Sequence, residues 1–254
     1  MKQIFLKIDF GKLDKHHIYA EKEGLGIELV ITDSKQIYQK NKCEISNKIM
    51  NLSKKLDYTA HLPFYGLSLG SRDSNIRDLS TDILLKSVEF FSENGIRRGV
   101  MHPALKPMIP KNGLKFWYKN FCEKFNQLIE LAEEKDFYLV IENTWEKDSW
   151  LFDKIFSDFN SSNLSMCLDI AHVYCFSDHD FHYWWDRFSD YISHIHLSDN
   201  DFTNDSHLQL GGGKIPYDKI LAGIEKELTY TLETSPHKVE VSLNYLKKIG
   251  FFDD

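Results

Sequence analysis

Nine side chains of two chemical kinds recur at or just after short apolar runs of the sequence. They are His61 in "AHLPF", His102 in "MHP", Glu142 in "VIENTW", Asp169 and His172 in "CLDIAH", His196 in "HIHLS", Asp205 and His207 in "DSHLQLGGG", and Glu233 in "TLET". Five imidazoles and four carboxylates make a nitrogen and oxygen donor set suited to zinc, manganese, iron or cobalt, with no thiolate among them. Taken singly, each has a plainer reading. A histidine close to a proline can bond a neighbouring carbonyl, and Asp169 can cap a helix. Glu142 and Asp169 resist that reading, because an ionised carboxylate ending an apolar run is costly to bury without a cation or several donors. The D-x-x-H spacing of Asp169 and His172 can aim both side chains into one site where a strand turns outward.

Other polar and aromatic residues are weaker candidates. Arg72 and Arg77 in "GSRDSNIRDL" could meet a phosphate above such a site, although surface arginines are common. Trp145, Trp184 and Trp185 could wall a substrate pocket, although aromatic residues between barrel helices are usually packing. Asp9 and Glu28, each near the end of a β-type run, could bond a substrate hydroxyl.

These residues need a frame that gathers them. Eight β-type runs alternate with amphipathic stretches: 3–9, 25–31, 58–64, 97–103, 137–143, 163–170, 192–198 and 229–234. The helical pattern is clearest in "TDILLKSVEFFSENG" and "FWYKNFCEKFNQLIELAEEKD", where apolar residues fall three and four apart. Alternating strands and helices imply parallel pairing with right-handed crossovers, and eight units in 254 residues predict an α/β (β/α)8 TIM barrel, a single domain over 1–254. A doubly wound sheet would normally carry a glycine-rich phosphate loop after its first strand, and "IDFGKLDKHH" lacks GxGxxG. In a barrel, catalytic groups sit at the C-terminal ends of the strands, where the nine residues fall.

Composition narrows the class further. Hydrophobic residues are 42% and charged residues 27% of the chain, enough for a sizeable core. The net charge of -7 and only five arginines announce no large basic surface for nucleic-acid phosphates. Lys7 and Asp9 break the opening apolar run, so it reads as a strand rather than a signal peptide, and a cytoplasmic protein without a membrane span is expected. Cys43, Cys122, Cys167 and Cys175 form no CxxC pair, which suits reduced thiols without a catalytic role.

Taken in order, "HLPF", "MHP", "IENT", "CLDIAH", "HIHLSDN", "DSHLQLGGG" and "TLET" resemble the xylose isomerase-like TIM barrel superfamily across nearly the whole chain. That superfamily includes sugar phosphate isomerases and epimerases and the endonuclease IV type of abasic-site nuclease. Resemblance to endonuclease IV implies three zinc ions held by His61, His102, Glu142, Asp169, His172, His196, Asp205, His207 and Glu233. Resemblance to ketose epimerases implies one divalent metal on Glu142, Asp169, His196 and Glu233, with Glu142 and Glu233 moving protons. The sequence departs from the nuclease pattern: "LSDND" follows His196 without the nuclease lysine, Ile170 stands where a small polar residue is usual, and the loops are poor in arginine. "HLQLGGGKI" resembles a run common in sugar isomerase-like members and favours a small substrate.

The expected cofactor is therefore one to three divalent ions, zinc or manganese foremost, and the expected partner is a small carbohydrate. The leading expectation is an isomerase or epimerase of a sugar, sugar phosphate or related polyol, with His172 and His207 orienting substrate oxygens or holding a second metal. The alternatives are a phosphoester hydrolase with a two- or three-metal cluster, to which alone nucleic acid would be relevant, and a barrel that binds metal or sugar without turnover. Charge separates the enzymes: one ion among three carboxylates leaves a formal charge of about -1, whereas three ions among four carboxylates leave about +2, which suits a phosphate. Within residues 192–213, His194 is expected one layer below His196. Asp199 and Asp201 read as loop or substrate-side residues, Asp205 and His207 as a clamp, and the three glycines as a hinge into the helix that "KIPYDKI" begins.

Overall fold

The computed structural model describes residues 2–37, 41–51, 56–224 and 226–252. Eight strands close a parallel barrel in sequence order: β1 (Gln3–Asp9), β2 (Gly26–Val30), β3 (Tyr58–His61), β4 (Arg98–Met101), β5 (Tyr138–Glu142), β6 (Leu164–Asp169), β7 (Ile192–Leu197) and β8 (Thr229–Leu232). Every strand lies within one of the expected runs. The runs were too long mainly at their C-terminal ends, where His102, Asn143 and Glu233 have already left the ladder for the loops above it.

Helices pack around the barrel: α1 (Leu13–Glu23), α2 (Asn41–Met50), α3 (Ser74–Glu93), α4 (Lys111–Glu134), α5 (Trp150–Asp158), α6 (Ile170–Phe176), α7 (Phe181–Phe188), α8 (Tyr217–Ala222) and α9 (Val239–Lys248). The main core lies between these helices and the outward strand faces. In α4, Trp117, Phe121 and Phe125 recur every fourth residue and stack with centroids 5.1 and 4.9 Å apart, so one stripe of the helix seals against the barrel. In α7, Trp184 is fully buried and donates its indole N–H to Ser177 Oγ at 3.0 Å, which makes it a packing residue. Among the described residues no helix is long and apolar enough to cross a membrane.

The barrel interior is unlike that outer core. A small apolar cluster of Val100, Val140 and Cys167 lies there, with Phe5 packed edge-on against His194, and around them lie Lys7, Glu28, Thr59, His194 and Thr231. Barrel interiors are ordinarily filled by branched aliphatic side chains, so a polar column along the axis needs a chemical reason. Register supplies the alignment: Asp169 pairs with His196, His196 with Thr231, and Lys7 with Glu28, which sets the ligand-type residues above a polar layer.

Candidate metal centre

All nine expected ligand residues converge at the C-terminal end of the barrel, and their distances divide them into three groups. In the first, His61 Nε2 and His102 Nε2 lie 3.3 and 3.0 Å from Glu142 Oε2. In the central group, donor atoms of Glu142, Asp169, His196 and Glu233 all lie within 4.8 Å of one another. His196 Nδ1 is 3.4 Å from Glu142 Oε1 and 2.6 Å from Glu233 Oε1. In the third, Asp205 Oδ2 stands 3.2 Å from His172 Nε2 and 3.1 Å from His207 Nε2. Glu142 joins the first two groups, one oxygen to each.

The tautomers follow from the acceptors behind each ring. His61 Nδ1 is 3.0 Å from the Leu62 carbonyl and His172 Nδ1 is 2.8 Å from the Asn143 carbonyl. A carbonyl only accepts, so both Nδ1 atoms carry hydrogen. His196 Nε2 lies 3.2 Å from Glu28 Oε2 and donates to that carboxylate. Each neutral ring then turns the lone pair of its other nitrogen on a carboxylate: His61 on Glu142, His196 on Glu142 and Glu233, His172 on Asp205. Such facing pairs repel unless a proton or a metal ion lies between them.

Unpartnered atoms mark the same places. Glu142 Oε1, Asp169 Oδ2, His196 Nδ1, Asp205 Oδ1 and His207 Nδ1 are buried without a hydrogen-bond partner, although buried polar atoms are ordinarily satisfied. The residues present therefore fit divalent ions, with three of the unpartnered atoms in the central group.

Local structure aims these groups. Asp169 ends β6 and caps α6, its Oδ1 accepting the His172 amide at 2.7 Å, which leaves Oδ2 buried without a hydrogen-bond partner in the central group. Asn143 clamps the same corner, accepting the Asp169 amide at 2.8 Å and donating to its carbonyl at 3.0 Å. His207 sits at φ 43°, a left-handed conformation that a non-glycine residue keeps only when its surroundings enforce it.

Electrostatics bind the cluster together. Burial alone would raise Glu142, but His102 and His196 beside it hold its carboxyl well below the ordinary range. Against the same burial, Lys7 and His196 hold Glu233 down, and Lys7 Nζ lies 2.5 Å from Glu233 Oε1. Burial pushes Asp169 up to about 6, with Glu142 and Glu233 adding to the effect. Burial lowers His102 to about 4. Burial would also lower His172 and His196, yet their acidic neighbours, Asp169, Asp205 and Glu142 for the one and Glu28, Glu233 and Glu142 for the other, raise both well above the ordinary value.

Glu28 is fully buried, its Oε2 accepting from Thr231 and His196 and its Oε1 without a hydrogen-bond partner. Asp9 accepts from the Gly11 amide at 2.8 Å and from Thr32 Oγ1 at 3.0 Å, holding the turn after β1. Arg72 lies over the Phe116 ring, 5.4 Å from its centroid, in a groove of about 510 Å³ between the loops after β3 and β4, and Arg77 bonds the Ser71 and Arg72 carbonyls; neither is brought to the cluster. Trp145 is exposed on the loop after β5. Asp199 is fully buried and anchors the loop after β7, accepting the amides of Asn200, Gly211 and Ile215. Asp201 bonds Thr203 within that loop. The glycine hinge is borne out: Gly211 has φ 76°, and a Cβ on Gly213 would stand 2.3 Å from the Asn200 carbonyl oxygen.

Two residues escaped the sequence reading. Lys7 reaches the site because barrel closure sets β1 beside β8, and its one visible sign was a charge in the middle of an apolar run. Glu146 follows Trp145 and is buried, with burial pushing it up to about 7; four residues beyond Glu142 in a loop, it had no periodicity to flag it.

Relatives agree with this architecture. The uncharacterized protein MJ1614 of Methanocaldococcus jannaschii is 29% identical over 174 residues, 67% of either chain. The TTHB071 protein of Thermus thermophilus, a structure from crystals soaked with zinc chloride, superposes with a TM-score of 0.84 at 22% identity over 97% of both chains. A D-tagatose 3-epimerase-like protein superposes with a TM-score of 0.82 at 19% identity, over 97% of this chain and 96% of that one. At such identities the superpositions establish the fold. The family model described as xylose isomerase-like TIM barrel matches residues 20–249, and the chain belongs to that family.

Proposed function

We propose that the chain is a metal-dependent hydrolase acting on the phosphoester of a small polyol or sugar. The observation that carries this reading is the approach of Asp205 Oδ2 to both His172 and His207, at 3.2 and 3.1 Å, beside the two groups that share Glu142. From the sequence the isomerase stood first, and the position of Asp205 is what favours the hydrolase. Divalent ions held by these residues would polarise a phosphoryl oxygen and acidify a water, the chemistry of multi-metal phosphoester cleavage.

The chain's own residues prepare the site for that chemistry. Glu142 fixes the spacing of the first two groups by giving one oxygen to each. Lys7 partly neutralises Glu233, and the hydrogen bonds behind His61, His172 and His196 keep their donor nitrogens pointed inward before anything binds. With a net charge of -7 and five arginines, the chain offers no extended track for a nucleic-acid backbone, which favours a small substrate. Elemental analysis of the purified protein tests the reading together with phosphate release from a panel of phosphoesters under added zinc or manganese. Two or three metal equivalents with release support it; one equivalent and no release from any substrate refute it.

The central group by itself favours a second reading, a sugar isomerase or epimerase. Glu142 and Glu233 both approach His196 Nδ1, at 3.4 and 2.6 Å, so two carboxylates lie where they could take a proton from a substrate carbon and return it. The epimerase-like neighbour is consistent with it. Exchange of substrate carbon-bound hydrogen in deuterium oxide, abolished by Glu142→Gln and by Glu233→Gln, would identify that chemistry; exchange that survives both substitutions would eliminate it.

A further inference from the structure

A continuous column of hydrogen bonds runs along the barrel axis from its N-terminal end to His196. Arg98, at the start of β4, lines a cavity of about 940 Å³ at that end and donates from Nη1 to Thr229 Oγ1 at 2.6 Å. Thr229 Oγ1 is 2.6 Å from His194 Nδ1, and His194 Nε2 is 2.9 Å from Thr231 Oγ1. Thr231 donates to Glu28 Oε2 at 2.8 Å, and the same oxygen accepts from His196 Nε2 at 3.2 Å. His194, Thr231, Glu28 and His196 are all fully buried, so water does not compete for these bonds.

The direction of every bond in the column follows from its two ends. A guanidinium has no acceptor, so Thr229 Oγ1 accepts from Arg98 and turns its own hydrogen to the nearer group, His194 Nδ1, in preference to the Ser193 carbonyl at 3.3 Å. His194 Nδ1 is then an acceptor and Nε2 a donor, and Thr231 Oγ1, which accepts from Nε2, sends its hydrogen on to Glu28. A carboxylate at the far end can only accept. Glu28 therefore takes the hydrogen of His196 Nε2 as well, and in the neutral ring His196 Nδ1 is left bare toward Glu142 and Glu233.

We propose that Glu28, held in place by Thr231 and His194 at the end of this column, is a positioning residue that fixes the tautomer of His196 and so sets the metal affinity at the C-terminal end of the barrel. The proposal rests on the metal-binding reading above and goes beyond it by assigning a role to the carboxylate behind His196. A reversal of the bonds between Arg98 and Thr231 stops at Glu28, because a carboxylate only accepts, so the place of the His196 hydrogen depends on Glu28 itself. With a neutral amide in place of the Glu28 carboxylate, an N–H can face His196 Nε2, and the ring gains by moving its hydrogen to Nδ1, the atom that must bind the ion.

The test combines nitrogen-15 spectra of the histidine rings in metal-free protein, at a pH where the rings are neutral, with zinc and manganese affinities of the wild type, Glu28→Gln and Arg98→Met. Glu28→Gln should move the hydrogen of His196 from Nε2 to Nδ1 and weaken binding about 10- to 100-fold, the range seen for outer-shell partners of metal ligands. Arg98→Met, at the edge of the barrel, frees Thr229 to reverse its bond to His194 but should leave the His196 hydrogen on Nε2 and the affinity unchanged, because the Glu28 carboxylate still only accepts. A purely packing role for Glu28 would cost affinity or stability without moving the His196 hydrogen. An unchanged His196 tautomer in Glu28→Gln, or a His196 hydrogen moved by Arg98→Met, in a wild type that binds metal, would overturn the proposal, whereas a wild type that binds no metal would overturn the reading beneath it.

Discussion

Proton release on metal loading can be worked from the cluster in advance. In the metal-free protein, neighbouring carboxylates raise His172 and His196 well above the usual imidazole value, so at pH 7 each ring holds a proton on the nitrogen that faces them. An ion entering the central or third group must displace that proton, and filling both groups at pH 7 should release about two protons. Affinity therefore rises with pH: each displaced proton contributes about tenfold per pH unit, or about 1.4 kcal/mol, until the pH reaches the raised value of the ring, where the dependence flattens. Asp169, pushed up to about 6, adds a second proton to the central group at lower pH, so the dependence there should steepen below pH 6. Titration calorimetry in buffers of different ionisation enthalpy counts the protons directly, and dissociation constants between pH 6.5 and 8 give the slope. A proton count near zero with pH-independent affinity would show that the ions bind elsewhere, and the tautomer argument would fail with it.

Three further perturbations bear on the same site. Asp205→Asn removes the charge that His172 and His207 share, and elemental analysis should show one metal equivalent fewer with the central ion retained; an unchanged count refutes the third group. Lys7→Met leaves buried Glu233 without its cation and should destabilise the metal-free protein by about 3 kcal/mol in denaturant unfolding, with much of the loss recovered at saturating metal; equal losses in both states would separate Lys7 from the site. Glu146 has a folded value of about 7 against an ordinary 4.5, so the folded protein holds a proton that the unfolded chain releases, and stability falls as pH rises from 4.5 through 7. Glu146→Gln should remove this loss, improving by about 3 kcal/mol relative to the wild type between pH 5 and pH 8 in urea titrations; a constant difference across that range would refute the assignment.

The donor residues were legible because each sits at a boundary the sequence makes visible. Glu142, Asp169 and Glu233 end or follow apolar runs where a charge is conspicuous, and Asp169 and His172 carry a spacing that joins a strand to a helix. The same logic could not separate the roles of Glu28, Asp9 and Asp199. A carboxylate near the end of a strand looks alike in sequence whether it faces a substrate, another side chain or backbone amides of its own loop, and these three turned to the latter two. Lys7 was invisible as a partner of Glu233, 226 residues away, because strand periodicity assigns a face and says nothing of which strand closes against the first.

By itself, then, the sequence determined the barrel and pointed to the candidate donors, since alternation of strand and helix, apolar periodicity and the residues at strand ends are local properties. Grouping was decided by the tertiary structure. Whether Glu142 serves one set or two, whether Asp205 reaches back to His172, and which nitrogen of His196 stays bare depend on closure of the barrel and on hydrogen bonds crossing its axis between β2, β4, β7 and β8. Those contacts join residues far apart in the chain, and their directions follow from acceptors that only the folded molecule places behind each ring.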